Sequence, residues 1–270
     1  MPGARDLTVE LGGTTALSGV SVDLPAGQVT AVVGGDGAGK TTLLRALLGR
    51  VATSGGTVDV PPPERIGYEP STSGVWPTLS VSENVEFVGS AYGLSGDRLR
   101  SRAATLLATA GIDDVPDRLG RDLSGGMRQK LGFCLAMLHS PDLLLLDEPS
   151  TGVDPVSRVE LWRLVTAAAR DGASVLMTTT YLDEAERAAT VVALQEGRVL
   201  ASGGPDDVVG TVPGTVSVGD APPGGRRAWR RGRSFHSWTP DGEEPPGRPV
   251  VPDLEDTLIA LTLARSEEPR

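Results

Sequence analysis

The run Gly34-Gly35-Asp36-Gly37-Ala38-Gly39-Lys40-Thr41 constrains the fold more than any other stretch of this chain. It satisfies G-x-x-x-x-G-K-[ST]. Residues 30–33 before it are apolar enough for a buried parallel strand, and residues 41–48 after it read as a helix. In that setting the glycines let the backbone curl so that successive N–H groups point at a phosphate. Lys40 supplies a point charge for β- and γ-phosphates, and the Thr41 hydroxyl, followed by Thr42, is a natural Mg²⁺ ligand. A glycine-rich turn with a chance Lys-Thr is the competing reading, and the flanking strand and helix argue against it.

Two further runs carry chemistry. Leu143-Leu144-Leu145-Leu146-Asp147-Glu148-Pro149 reads as a buried strand that delivers Asp147 at its C-terminal edge, where α/β folds place ligands. Asp147 is expected to hold the water shell of Mg²⁺, and Glu148 to orient or deprotonate an attacking water. Upstream, Leu123-Ser124-Gly125-Gly126-Met127-Arg128-Gln129 opens an apolar helical segment with a capping hydroxyl and two glycines, an arrangement suited to an anion. Residues 156–170 read as a helix and 174–178 as another buried strand, so the alternation implies a right-handed parallel α/β sheet.

In this order the three runs resemble the ATPase domain of ABC transporters over about the first 210 residues. The resemblance implies a P-loop NTPase fold of the ABC ATPase kind. Its parts are a parallel core sheet, an N-terminal antiparallel β part, a helical insert over about 83–140 and a small C-terminal appendix. The expected division is 5–210 for the ATPase domain and 211–270 for the appendix. The implied cofactors are ATP and Mg²⁺. In the family, the run at Ser124, Gly125, Gly126 and Gln129 contacts ATP held by a second domain, and residues 150–154 resemble the loop that crosses that interface. The implied partners are an integral-membrane permease and a second ABC ATPase subunit. The ending at 254–263 resembles that of drug-export ATPases of the ABC-2 class.

Three positions depart from the family pattern. Leu11 stands ahead of Gly12-Gly13 where an aromatic usually stacks on adenine. Ser71 ends the run from Ile66 where a glutamine touches Mg²⁺ and reports to the membrane domain, and serine is too short to reach as far. Thr180 replaces the histidine that contacts the γ-phosphate, in Met177-Thr178-Thr179-Thr180-Tyr181-Leu182-Asp183-Glu184-Ala185-Glu186. Loss of one such positioning contact costs ~10²-fold or more in turnover. ATP binding should survive, with slow hydrolysis. The combination resembles the first ATPase half of tandem bacterial drug exporters, expected here as a separate chain. A homodimer would hold two impaired sites, so a heterodimer is favoured.

Composition narrows the alternatives. With 35 acidic against 25 basic side chains and a net charge of −10, nucleic acid is not the expected ligand. The single cysteine, Cys134, excludes a disulfide framework and suits a reducing compartment. No apolar run reaches the ~18 residues of a membrane span, and the first residues lack the apolar stretch of a signal peptide. The expected location is cytoplasmic, peripheral on the inner face of the cell membrane. Arg226, Arg227, Arg230, Arg231 and Arg233 leave a basic surface patch and solvated or strand-borne arginines both open. A regulatory nucleotide-binding module without transport is the alternative function. A soluble ABC ATPase of translation or DNA repair fits less well, since neither a second ATPase half nor a long coiled-coil insert is present.

Overall fold

The computed structural model describes residues 2–220 and 227–267, so Arg226 lies outside the described residues. Strands β1 (Gly3–Leu11) and β2 (Thr14–Asp23) form an antiparallel hairpin, and β3 (Val29–Val33) delivers the chain into helix α1 (Lys40–Leu47). After β4 (Gly55–Asp59), β5 (Ile66–Glu69) leads into three helices: α2 (Val81–Ala91), α3 (Gly96–Ala110) and α4 (Gly125–Met137). There follow β6 (Leu143–Asp147), α5 (Pro155–Arg170), β7 (Ser174–Thr179), the short α6 (Leu182–Ala185), β8 (Thr190–Gln195), β9 (Arg198–Gly203) and α7 (Pro205–Val209). The chain continues through β10 (Thr215–Gly219), β11 (Ala228–Arg231), β12 (Ser234–Thr239), β13 (Arg248–Pro249) and α8 (Leu254–Glu267).

The central sheet has the order β5-β6-β7-β3-β8-β9, parallel throughout except for β9. Its inner strands are apolar on both faces because both are covered. Side chains alternate between two core layers with the period of a strand. Leu144 and Leu146 of β6, Val175 and Met177 of β7, and Val191 and Ala193 of β8 pack on the side of α4 and α5. Leu143, Leu145, Leu176, Val192 and Leu194 pack on the side of α1 and the β1–β2 hairpin. Cys134 of α4 is buried in the first layer, and desolvation pushes its thiol up to about 12, which makes it a core residue.

Local signals start the helices. Ser80 and Glu83 form a reciprocal capping box at the start of α2. Asp154 caps α5 through the amides of Val156 and Ser157, with Pro155 in the first turn.

Three features of the structure depend on tertiary contacts. Residues 55–59 form β4 and pair with β1, although Gly55-Gly56 and the prolines at 61–63 mark the stretch as loop-rich. The strand carries little apolar signal, and its order comes from the β1 ladder. A Cβ on Gly56 (φ 79) would lie 2.3 Å from the Arg5 carbonyl oxygen. Second, two of the appendix arginines, Arg227 and Arg231, are held in ion pairs. Arg227 binds Glu243 and Glu267 at 2.6 and 2.7 Å, and Arg231 binds Asp253, Glu255 and Asp256 at 2.6, 3.1 and 3.2 Å. They tie β11 to α8 and to the segment before it. Third, α8 does not belong to the appendix alone. Leu254 joins the main core, whereas Ala260 packs with Val216 and Trp238 in the small core of the β10–β13 sheet.

Candidate nucleotide-binding site

The loop between β3 and α1 takes its shape from glycines that no larger residue replaces. A Cβ at Gly34 would lie 2.4 Å from the Leu194 carbonyl oxygen, and one at Gly39 (φ 106) would lie 2.7 Å from Leu17 Cδ2. Gly39 is also the N-cap of α1 and offers no side-chain cap, so the first amides of that helix have no capping side chain. Lys40 is 5% exposed, and its ammonium is held by carbonyls and a carboxylate: Nζ donates to Gly34 O at 2.7 Å and Gly35 O at 3.2 Å, with Glu148 Oε1 at 3.1 Å.

The other half of the site comes from the ends of β6 and β7. Asp147 is 2% exposed, and its Oδ1 accepts from Thr41 Oγ1 at 3.2 Å and from Thr178 Oγ1 at 2.9 Å. The same Thr178 hydroxyl accepts from the Glu148 amide at 2.9 Å. Glu148 adopts a left-handed backbone (φ 51), unusual for a non-glycine residue, and this amide bond helps to fix it. Its Oε2 accepts from Thr151 Oγ1 at 3.2 Å. Lys40, Thr41, Asp147 and Glu148 are therefore linked through direct contacts although about a hundred residues separate the two pairs in sequence.

A cavity of about 570 Å³ opens beside them. Gly35 to Thr42, Glu148 and Leu11 line it, and so do Thr14, Thr15, Ala16, Glu196 and Gly197, which sequence reasoning did not single out. Leu11 is 42% exposed and offers apolar contact where an aromatic would stack. Ser71 and Thr180 are not among the lining residues; both are exposed, Ser71 in the turn after β5 and Thr180 just past the end of β7. Thr180 is flanked by a rigid network. Buried Glu184 accepts from Ser150 Oγ at 2.9 Å and Thr179 Oγ1 at 2.6 Å, and Thr179 Oγ1 accepts from the Tyr181 amide. The roles of Thr178 and Glu184 depend on β6 and β7 being neighbours, which no local pattern announces.

The Ser124 run stands apart from this cavity. Ser124 Oγ accepts from the Met127 amide at 3.2 Å and caps α4, while Ser124 and Gly125 remain exposed. Gly126 abuts α5: a Cβ there would lie 2.5 Å from Ser157 Oγ. Gln129, expected among the nucleotide contacts, is 6% exposed and its amide oxygen has no hydrogen-bond partner. One turn into α4 the helix carries position 129 inward, and only the first residues of the run face outward.

Asp147 and Thr41 suit Mg²⁺. This ion keeps several waters and needs only one or two protein oxygens beside those of phosphates, and a carboxylate and a hydroxyl already in contact supply them.

Residues 17–151 match the family described as "ABC transporter". The chain is 37% identical over 222 residues to the probable multidrug ABC transporter ATP-binding protein YbhF of Escherichia coli, covering 78% of this chain and 38% of that protein. It is 40% identical over 202 residues to the daunorubicin/doxorubicin resistance ATP-binding protein DrrA of Streptomyces peucetius, covering 71% of this chain and 61% of that one. It thus spans less than two thirds of the length of these curated relatives. Among solved structures, an ATP binding subunit of an ABC transporter superposes with a TM-score of 0.70 at 28% identity, over 76% of this chain and 90% of that one. The phosphate loop, the Asp147-Glu148 strand end and the Ser124-capped start of α4 all lie within the matched residues. The chain belongs to the ABC transporter family, as an ATP-binding domain of that family.

Proposed function

We propose that this chain binds Mg²⁺–ATP and drives a separate membrane permease that exports drugs or other small molecules, working peripherally on the cytoplasmic face of the membrane. The observation that carries the reading is the contact set Lys40–Glu148 and Thr41–Asp147–Thr178 around one cavity. Phosphates entering the cavity compete with Glu148 for Lys40. As Lys40 turns to the β- and γ-phosphates, the Glu148 carboxylate is released to orient a water toward the γ-phosphorus and accept its proton. Mg²⁺ on Asp147 and Thr41 would neutralise charge on the phosphate oxygens. The similarity to multidrug and daunorubicin resistance proteins supports export of drug-like molecules as the purpose.

The protein is proposed to act in a pair with a second ABC ATPase subunit, and a heterodimer is favoured. Ser124 and Gly125 face outward at the head of a helix, as a site for a partner's nucleotide requires. The chain's own site lacks an imidazole at position 180, which supports slow turnover. Trp76 and Phe87, both exposed and packed edge to face at 4.5 Å between ring centroids, offer an apolar surface near the head of the insert for a permease segment. Among the described residues no helix is long and apolar enough to cross a membrane.

Steady-state ATPase measurements on the isolated chain test the site. Slow turnover, lost in Glu148→Gln and restored by mixing with a complementary ATPase subunit, is expected. Fast turnover of the chain alone that survives Thr180→Ala would overturn the impaired-site reading. Co-purification from membranes with a permease and a second ATPase tests the assembly.

A further inference from the structure

A second cavity, of about 680 Å³, lies on the other flank of the phosphate loop. Gly35 to Ala38 and Glu196 line both cavities, so one thin segment of backbone separates them. The far wall is α8, through Leu258, Ile259, Thr262 and Leu263, and Thr180 lies on the rim. The helix is not loosely placed: Arg231 binds Glu255 and Asp256 in its first turn and Asp253 just before it.

The chemistry of the lining is one-sided. Leu182, Leu194 and Leu200 extend the apolar wall begun by α8. Three carboxylates, from Asp36, Glu196 and Glu255, share the lining, and among the described residues no lysine or arginine does. Glu255 is compensated by Arg231 at 3.1 Å, whereas Asp36 and Glu196 make no ion pair among the described residues. Gln195 adds a buried amide oxygen without a hydrogen-bond partner, an acceptor with no donor.

We propose that this cavity binds a lipophilic organic cation of drug size. Its volume lies in the ~300–1,000 Å³ range of small-molecule sites, and its mix of apolar wall and a few polar groups is typical of them. Apolar surface of a ligand set against this wall is removed from water, which favours binding. The unpaired carboxylates raise a negative potential that favours a cation and rejects an anion of the same shape. The site also communicates. A triphosphate in the first cavity adds negative charge one loop away, so cation and ATP favour each other, and by linkage each tightens the other equally. This coupling rests on the nucleotide-site reading above; the binding of the cation does not.

Tetraphenylphosphonium and tetraphenylborate, two ions of matched shape and opposite charge, provide the test. In equilibrium dialysis with the full chain, tetraphenylphosphonium is expected to bind saturably at one site per chain, and tetraphenylborate not to compete. Mg²⁺–ATP should tighten the cation about fivefold or more. Ile259→Trp and Thr262→Trp fill the cavity from α8 and should abolish cation binding while ATP affinity, measured separately, changes less than about twofold. Thermal melts of the two variants identify either one that fails to fold. Absence of saturable binding, equal binding of both ions, or retention of binding in a folded tryptophan variant overturns the proposal. Weakening of the cation by ATP also overturns it, since the cavity would then be covered by a second copy of the chain. Failure of ATP itself to bind overturns the nucleotide-site reading instead.

Discussion

At the phosphate loop, Lys40 reaches Glu148 at 3.1 Å and Thr41 reaches Asp147 at 3.2 Å, so the charged groups are joined within one chain. At the head of α4 the picture is reversed: Ser124 and Gly125 face solvent, and among the described residues the Ser124 hydroxyl bonds only to its own helix. Both edges are proposed phosphate sites, one made of largely buried side chains and one of an exposed helix start. A largely buried charge set is costly to disturb, because a group left behind loses its opposite charge while staying partly out of water. An exposed helix start has nothing to lose within its own chain. The first edge should therefore govern this chain's nucleotide, and the second a nucleotide held elsewhere.

Lys40→Ala against Ser124→Ala is the most direct way to break that contrast. Removing Lys40 takes away the cation paired with Glu148 and should weaken ATP binding by about 100-fold or more. Ser124→Ala should leave the chain's own ATP affinity within about twofold, at a cost of ~1 kcal/mol in helix capping. Fluorescent-nucleotide titration of both variants reads the difference. Comparable losses would show that the two edges act on the same nucleotide.

Thr180→His asks whether the first edge is incomplete. The strand end that carries it is pinned by Glu184, so an imidazole there would start from a fixed backbone. Turnover should rise by roughly tenfold or more, while Thr180→Ala changes it less than about threefold. A histidine variant no faster than the parent would place the slow step elsewhere.

The second edge has an internal contrast of its own, between adjacent glycines. A Cβ at Gly126 would lie 2.5 Å from Ser157 Oγ, but at Gly125 the nearest atom is the Gly152 carbonyl oxygen at 3.4 Å. Gly126→Ala should destabilise the fold by ~1–3 kcal/mol through overpacking against α5, and Gly125→Ala by well under ~1 kcal/mol. Chemical denaturation of the two variants measures this. A neutral Gly126→Ala would mean that α4 and α5 separate easily.

What the sequence revealed divides along the same line. The phosphate loop, the leucine strand ending in Asp147 and the capped start of α4 were legible because each is a local pattern with a fixed backbone consequence. The inward placement of Gln129 was not legible, because membership of a motif says nothing about which face of a helix a residue occupies. Thr178 and Glu184 were missed because their partners come from neighbouring strands and turns, a tertiary fact. β4 was missed because a Gly-Gly-Thr-Val-Asp edge strand is defined by its ladder with β1 rather than by its own apolar residues. The arginines at 227 and 231 could not be told from a basic patch until α8 and its flanks placed acidic partners against them.

Glu69 lies at the seam between the two edges, as the last residue of β5 packed beneath α4, and it offers the finest test. It is fully buried, neither carboxyl oxygen has a hydrogen-bond partner, and a Cβ at Gly132 of α4 would lie 2.8 Å from its Oε1. Desolvation pushes its carboxyl well above the usual carboxylate range. The folded chain therefore holds a proton there that the unfolded chain releases at lower pH. A raised folded-state value means that this contribution to stability is fully present below the unfolded value and is lost as pH rises toward the folded one. Thermal melts taken upward from pH 5 should show the parent losing stability where Glu69→Gln, neutral and of the same shape, does not. At pH 8 the variant should be the more stable by ~1 kcal/mol, the size of one uncompensated buried polar group. Parallel pH profiles for the two proteins would mean that Glu69 is hydrated and ionised in place, and that the seam between β5 and α4 is wet rather than closed.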